Sequence, residues 1–168
     1  MRSSQILAGV STGVLLLALS GGAYAAVATT TFSVTASVTA NCTVAASNLA
    51  FGAFTGVDIT TPFSTIGVNC TGTTPYSIAL DVGSGGGSYV NRTLTNGTGG
   101  TLVYNLYTTN ARTVVWGDDS GATDIVTGTG AGMATTNNHT VYGSLLAAAN
   151  TNAQAGSYAS TINVTVTY

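Results

Sequence analysis

The chain has 168 residues and a formal net charge of −2, and only 5% of its residues are charged, against roughly 25% in an average soluble protein. Its Lys and Arg side chains are Arg2, Arg92 and Arg112 alone, so no basic patch exists to neutralise phosphates, which argues against nucleic acid as a partner. Hydrophobic residues make up 45% of the chain, too many for a disordered polymer, and Thr, Ser, Gly and Asn stand in for charge, leaving little repulsion to hold copies apart.

The first twenty-five residues read as an export signal. Arg2 precedes Ile6-Leu7-Ala8 and the dense apolar run Val14 to Leu19, then Ser20-Gly21-Gly22 and the A-x-A site Ala23-Tyr24-Ala25. The apolar run is short of the ~20 residues that span a bilayer. Cleavage after Ala25 is expected to leave 143 residues, one domain's worth, with Arg2 removed.

Residues 26–42, AVATTTFSVTASVTANC, alternate from Phe32 onward: Phe32, Val34, Ala36 and Val38 on one face, Thr and Ser on the other. That period of two is the signature of a strand with one buried face. At a free end, such a strand either tucks into its own sheet or is offered to another molecule. Periodicity leaves both open.

Beyond Cys42 the pattern continues on a short rhythm. Leu49, Phe51 and Phe54 cluster in LAFGAF; Ile66, Val68 and Cys70 alternate in STIGVNC; Tyr76, Ile78, Leu80 and Val82 alternate in PYSIALDV before the run Gly83 to Gly87. Leu94 precedes an Asn96-Gly97 turn, and Leu102, Tyr104 and Leu106 alternate before a turn at Thr109-Asn110. Val114-Val115-Trp116, then Thr140 to Leu146, then Tyr158 with Ile162, Val164, Val166 and Tyr168 complete the series. Only Leu145 to Ala149 could form a helical turn. Short strands at this spacing between Gly/Asn turns predict an all-β sandwich or barrel, without a second domain.

Cys42 and Cys70 are the only cysteines. With an export signal, the default is one disulfide formed in an oxidising compartment, stabilising the fold by roughly 3–4 kcal/mol in the chain-entropy account. Two Cys plus the single His139 fall short of the about four ligands a metal site needs. No metal and no cofactor is expected.

The C-terminal stretch STINVTVTY is apolar on one face and carries no charge or Pro to blunt an exposed edge. The two ends solve each other's problem if the N-terminal strand of one copy completes the sheet of the next, as strand addition does. A head-to-tail contact of this kind does not close on itself, so a filament results. The alternative is that Thr30 to Thr39 pairs within its own chain, giving a complete monomeric sandwich.

The run from Cys42 to Tyr168 resembles the spore coat U domain family, which includes subunits of archaic (Csu-type) chaperone–usher pili. The resemblance is carried by Asn41-Cys42-Thr43-Val44 after an alternating strand, Asn69-Cys70, Asn91-Arg92-Thr93-Leu94, LVYNLYTTNARTVVWGD from Leu102 to Asp118, Tyr142-Gly143 and the terminal GSYASTINVTVTY. It implies an incomplete immunoglobulin-like β-sandwich completed by the N-terminal donor strand of a neighbouring subunit, with residues 26–40 as the donor extension and 41–168 as the pilin domain. A periplasmic chaperone and an outer-membrane usher would be partners during assembly, identical or homologous subunits would be partners in the filament, and the destination would be the cell surface. Carried over residue by residue, Phe32, Val34, Ala36 and Val38 are the donor side chains. Cys42–Cys70 is the family disulfide, and Ile162, Val164, Val166 and Tyr168 line the acceptor groove and meet the chaperone. Ala36 is small for a donor residue, so its pocket should be shallow or filled from the acceptor side. Tip adhesins of the family carry an extra N-terminal domain, so a single-domain chain looks like the repeating shaft subunit or a minor adaptor.

Other candidate chemistry is thin. Without a spare thiol or a Gly-x-Ser-x-Gly elbow, His139 does not suggest a catalytic triad, and no enzyme activity is expected. Asp118, Asp119 and Asp124 lack the ligand alternation and closing Glu of an EF-hand; Asp-Asp-Ser-Gly is turn material. Trp116 with Tyr104 and Tyr107 reads either as a sugar-stacking platform or as core. Arg92 and Arg112 are expected to pair locally with carboxylates or carbonyls. The sequence therefore supports a pilin acting in adhesion and biofilm formation. Its alternatives are a monomeric lectin-like module or a spore-coat protein of the same domain family.

Overall fold

The structure, a computed structural model, describes residues 25–168, so the expected export signal lies outside the described residues except for Ala25. The chain divides into two units, residues 1–36 and 37–168. In the first unit, residues 25–36 belong to no helix or ladder and all are exposed. Phe32 is 87% and Val34 83% exposed. The alternating pattern is present there without the hydrogen bonds of a strand.

The second unit begins with β1 (Cys42–Ala46), β2 (Phe63–Cys70), β3 (Pro75–Leu80), β4 (Gly87–Ser88), β5 (Asn91–Thr95) and β6 (Thr101–Tyr107). It continues with β7 (Val115–Trp116), β8 (Thr123–Asp124), β9 (Val126–Thr129), β10 (Asn137–Ser144) and β11 (Val164–Thr167). One sheet runs β1-β2-β10-β6-β5-β4, with β7 attached to β6 and β8 to β7; the other runs β11-β3-β9. Among the described residues the one helical segment is the 3-10 turn Ala147–Ala149, and no helix is long and apolar enough to cross a membrane.

Alternation decides which face is buried. Ile66, Val68 and Cys70 of β2 and Tyr76, Ile78 and Leu80 of β3 all point into one core, which Leu102, Tyr104, Leu106, Trp116, Val141 and Leu145 complete. Fully burying a Val, Leu, Ile or Phe side chain contributes about 1.5–3 kcal/mol. A one-residue slip would turn each of these outward, so the register is set by burial. Cys42 and Cys70 lie directly opposite one another in the β1–β2 ladder and are joined by a disulfide. The bond ties the first ordered strand to the core at the point where the chain enters the domain.

The β5–β6 hairpin turns where the Asn-Gly pair predicts. Gly97 takes a φ of 73°, and the Asn96 side-chain oxygen accepts the Thr98 and Gly100 N–H groups at 2.9 and 2.8 Å. The C-terminal strand is shorter than its alternation suggests. Only Val164–Thr167 pairs with β3; the stretch before it is held by separate backbone bonds, Asp81 N–H to Asn163 O at 3.2 Å and Ser84 N–H to Thr161 O at 2.9 Å, together with side-chain contacts. Asp81 accepts the Asn163 N–H at 2.9 Å and its side-chain amide at 2.6 Å, and Ser84 Oγ accepts the Thr161 N–H at 2.8 Å. The LAFGAF segment forms no strand either, although Leu49, Phe51 and Phe54 pack against the core.

Candidate functional site

The sandwich is open along one side. β1 leaves its partner after Ala46, with a last ladder-like bond from Ser47 N–H to Thr65 O at 3.0 Å. Residues 48–57 then make no backbone–backbone hydrogen bond among the described residues. On the other side, the chain from Ala153 to Asn163 touches the body through the Thr95–Ala159 bridge and the Asp81 and Ser84 contacts before β11 begins. Between these two segments lies a groove of about 990 Å³. Unpaired backbone groups beside an apolar trench are what an added strand needs: main-chain bonds on the edge and pockets below.

Each surface of the groove follows from the sequence. Its floor is the inward face of the larger sheet: Leu94 of β5, Leu102, Tyr104 and Leu106 of β6, Val141 of β10, and Leu145 just beyond it. One wall is residues 46–54 and the other residues 153–162 with Val164. Leu49 and Phe51 reach from the first wall over Gly143, where a Cβ would lie 3.0–3.1 Å from both side chains. Phe51 also meets Tyr104 edge-on, with ring centroids 5.8 Å apart. Burial raises the Tyr104 phenol above its ordinary pKa, and the Ser160 hydroxyl beside it on the second wall partly offsets this. Tyr104 therefore sits at mid-floor between the two walls.

Of the candidate groove residues, Ile162 and Val164 line this trench. Val166 packs against the core outside that lining, and Tyr168 is 55% exposed. Of the candidate donor residues, Phe32, Val34, Ala36 and Val38 are all exposed. Sequence reasoning did not assign the floor or the 46–54 wall. The available signal was the LAFGAF cluster, too apolar for a solvated loop and too irregular for a strand.

The remaining candidates are structural. Trp116 is wholly buried and donates Nε1–H to Ile78 O at 2.9 Å, which removes it as an exposed sugar platform. Arg92 is also wholly buried. It donates to the carbonyls of Asp81 at 2.9 Å, Tyr89 at 3.2 Å and Trp116 at 2.7 Å, and to Asn105 Oδ1 at 3.0 Å. Arg112 donates to Gly143 O and Asn110 O, and lies over the Tyr142 ring. Asp118 accepts Ser120 N–H and Oγ–H, an ordinary turn contact that draws its carboxyl below the usual range. His139 Nε2 lies 2.8 Å from the Tyr76 hydroxyl, and burial lowers its pKa. No cluster of three metal-ligating side chains occurs among the described residues.

Comparison with known proteins agrees with this architecture. The chain is similar to one chain of the crystal structure of the CsuC–CsuE chaperone–tip adhesion subunit pre-assembly complex, from archaic chaperone–usher Csu pili of Acinetobacter baumannii. The TM-score is 0.55 at 19% identity, over 78% of this chain and 40% of that one, so the likeness is one of fold, the chaperone–usher pilin fold. This chain thus spans less than half of that chain's length. No curated protein matches. The family model of the Spore Coat Protein U domain matches residues 28–165. By that match across most of its length, the chain belongs to the Spore Coat Protein U domain family.

Proposed function

We propose that this chain is a structural subunit of a chaperone–usher surface pilus, polymerising head-to-tail by donor-strand exchange. The observation that carries the reading is a pair of complementary defects in one chain. A groove with an apolar floor and unpaired backbone on its wall lies in the folded domain, and an exposed alternating segment precedes that domain. The Phe32, Val34, Ala36 and Val38 face of one copy fills the groove of the next, with Ile162 and Val164 on one wall and Val166 and Tyr168 continuing the same terminal segment. Before assembly a periplasmic chaperone covers the groove, and an outer-membrane usher is the site of exchange. The filament then serves surface attachment and biofilm formation. Burial of Trp116 and Tyr104 disfavours the lectin-like alternative, which needs an exposed aromatic platform.

The test compares residues 26–168 with residues 41–168, each with and without a synthetic peptide of residues 26–40. The longer form should grow into SDS-resistant chains, while the shorter one stays monomeric and is sharply stabilised by the peptide. Two equally stable monomers indifferent to the peptide would refute donor-strand exchange.

A further inference from the structure

The outward face of the larger sheet carries an aromatic row that the groove does not use. Phe63 of β2 and Tyr142 of β10 are register partners, and Tyr142 is in turn the partner of Tyr107 of β6. Their chain neighbours Gly143 and Leu106 face the groove, so these three side chains stand on the opposite face. Phe63 is 65% exposed and both tyrosines are half-buried. The platform that burial denies to Trp116 and Tyr104 is therefore present here. Two residues along the strands, Thr65 and Thr140 are partners on the same face, both half-buried.

Arg112 is fixed beside this row. Pro62, just before Phe63, accepts the Gly143 N–H at 3.0 Å. An ordinary antiparallel partner would return its own N–H to the Gly143 carbonyl, but proline has none. Arg112 Nε takes that place, donating to Gly143 O at 3.1 Å. Nη1 donates to Asn110 O at 2.7 Å and to its Oδ1 at 3.1 Å, and the guanidinium lies 5.8 Å from the Tyr142 ring centroid. The backbone of Arg112 is left-handed, with a φ of 53°, which is uncommon for a residue other than glycine. Its Nη2 makes no hydrogen bond among the described residues. No buried side-chain nitrogen there lacks a partner, so the Nη2 N–H groups reach solvent.

Charge and topology together select a ligand. β2, β6, β10 and residues 108–114 contain no Asp, Glu or Lys, and Arg112 is their one formal charge at neutral pH. A single cation cannot hold a polyphosphate chain. β2 and β10 are paired on both sides, which leaves no edge for a peptide strand to join. A ring with an apolar C–H face, several hydroxyls and one carboxylate fits all three features. Its polarised C–H groups suit the negative face of an aromatic ring. A pyranose stacked on Phe63 brings a ring carboxylate one strand across, ~4.8 Å, to Arg112. We propose that Phe63 and Arg112 form a binding site for a carboxylated sugar, the uronic-acid residue of an acidic polysaccharide. Phe63 stacks the ring, Arg112 Nη2 donates to the carboxylate, and the Thr65 and Thr140 hydroxyls meet the sugar hydroxyls. Tyr142 and Gly143 O are positioning groups that hold the guanidinium. The site faces away from the groove and does not depend on the donor-strand reading. In a filament each subunit displays it once, and such repetition raises the avidity of a weak site.

The test titrates the exported chain, residues 26–168, with tri-galacturonic acid, read by calorimetry and saturation-transfer NMR. Its methyl ester keeps the rings without the charge, and a tri-glutamate peptide keeps the charge without the rings. The acid should bind at least about fivefold more tightly than either, as loss of a charge-assisted contact implies. Phe63→Ala and Arg112→Gln should each weaken binding of the acid roughly tenfold, and Arg112→Gln should also remove its advantage over the ester. Phe63 is mostly exposed, so its replacement leaves the core intact. The ligand comparison and Phe63→Ala carry the test even if Arg112→Gln does not fold. Equal affinity for the acid and the ester, or for the acid and the peptide, overturns the carboxylated-sugar assignment. Failure of the acid to bind, or binding unmoved by Phe63→Ala, overturns the site.

Discussion

Arg92 gives the sharpest test of what holds the domain together. Its guanidinium is wholly buried and faces three carbonyls and one side-chain amide oxygen, with no carboxylate in hydrogen-bond contact. Burial lowers its pKa, though an arginine stays charged in any case. Arg92→Met keeps much of the volume but withdraws every donor, leaving the oxygens of Asp81, Tyr89 and Trp116 without this partner. An unsatisfied buried acceptor costs about 1–3 kcal/mol; three of them in the lower half of that range, as partial relaxation around the smaller side chain allows, cost roughly 3–5 kcal/mol, a large part of a typical domain's 5–15 kcal/mol. Swapping a whole buried ion pair for apolar residues can be neutral; here the acceptors are main chain and remain. Urea unfolding followed by the fluorescence of Trp116, the sole tryptophan, reads the effect directly. With a slope of ~1.5–2 kcal/mol per molar, the midpoint should fall by about 1.5–3 M. Arg92→Lys, which keeps the charge but loses the planar fork, should fall between. A midpoint for Arg92→Met within about 0.3 M of the parent would refute the reasoning.

Three further expectations follow from the same structure. Burial holds the His139 pKa below its ordinary value of about 6.5, so the unfolded chain binds the extra proton first. Its contribution to stability is full above about pH 6.5 and is lost as pH falls through the lower folded value. Thermal midpoints should decline modestly between pH 7 and 5, and His139→Gln should flatten that slope; a slope unchanged by the substitution would remove His139 as its source. Asp118 does not blur this window, since a carboxyl drawn down by Ser120 acts only below about pH 4. Reducing the Cys42–Cys70 bond, which spans 28 residues, should cost roughly 3–4 kcal/mol. That is measurable as the difference in chemical denaturation with and without reductant, and a loss under about 1 kcal/mol would contradict it. Gly143→Val should cost about 1–3 kcal/mol, because even a Cβ there meets Leu49 and Phe51 at 3.0–3.1 Å. The same change should weaken binding of the 26–40 peptide, and a calorimetric titration that finds affinity unchanged would show that the first wall does not shape the groove.

The alternating segments 63–70, 75–80 and 101–107 were legible as strands because a half-buried strand repeats every two residues, and that repeat is written directly in residue type. The disulfide was legible from a count of two cysteines; its placement directly across the β1–β2 ladder was not. Alternation could show that Phe32 to Val38 has an apolar face, but not whether any sheet of the chain receives it, since that depends on which edge is vacant. Only the tertiary structure decided that a groove lies between residues 46–54 and 153–164, where separate backbone bonds and side-chain contacts of Asp81 and Ser84 stand in for a longer ladder. It also decided between platform and core for Trp116, and placed Arg92, expected to pair locally with carboxylates or carbonyls, wholly inside against carbonyls. Periodicity acts within one strand, whereas burial and a missing edge are set by which distant strands meet.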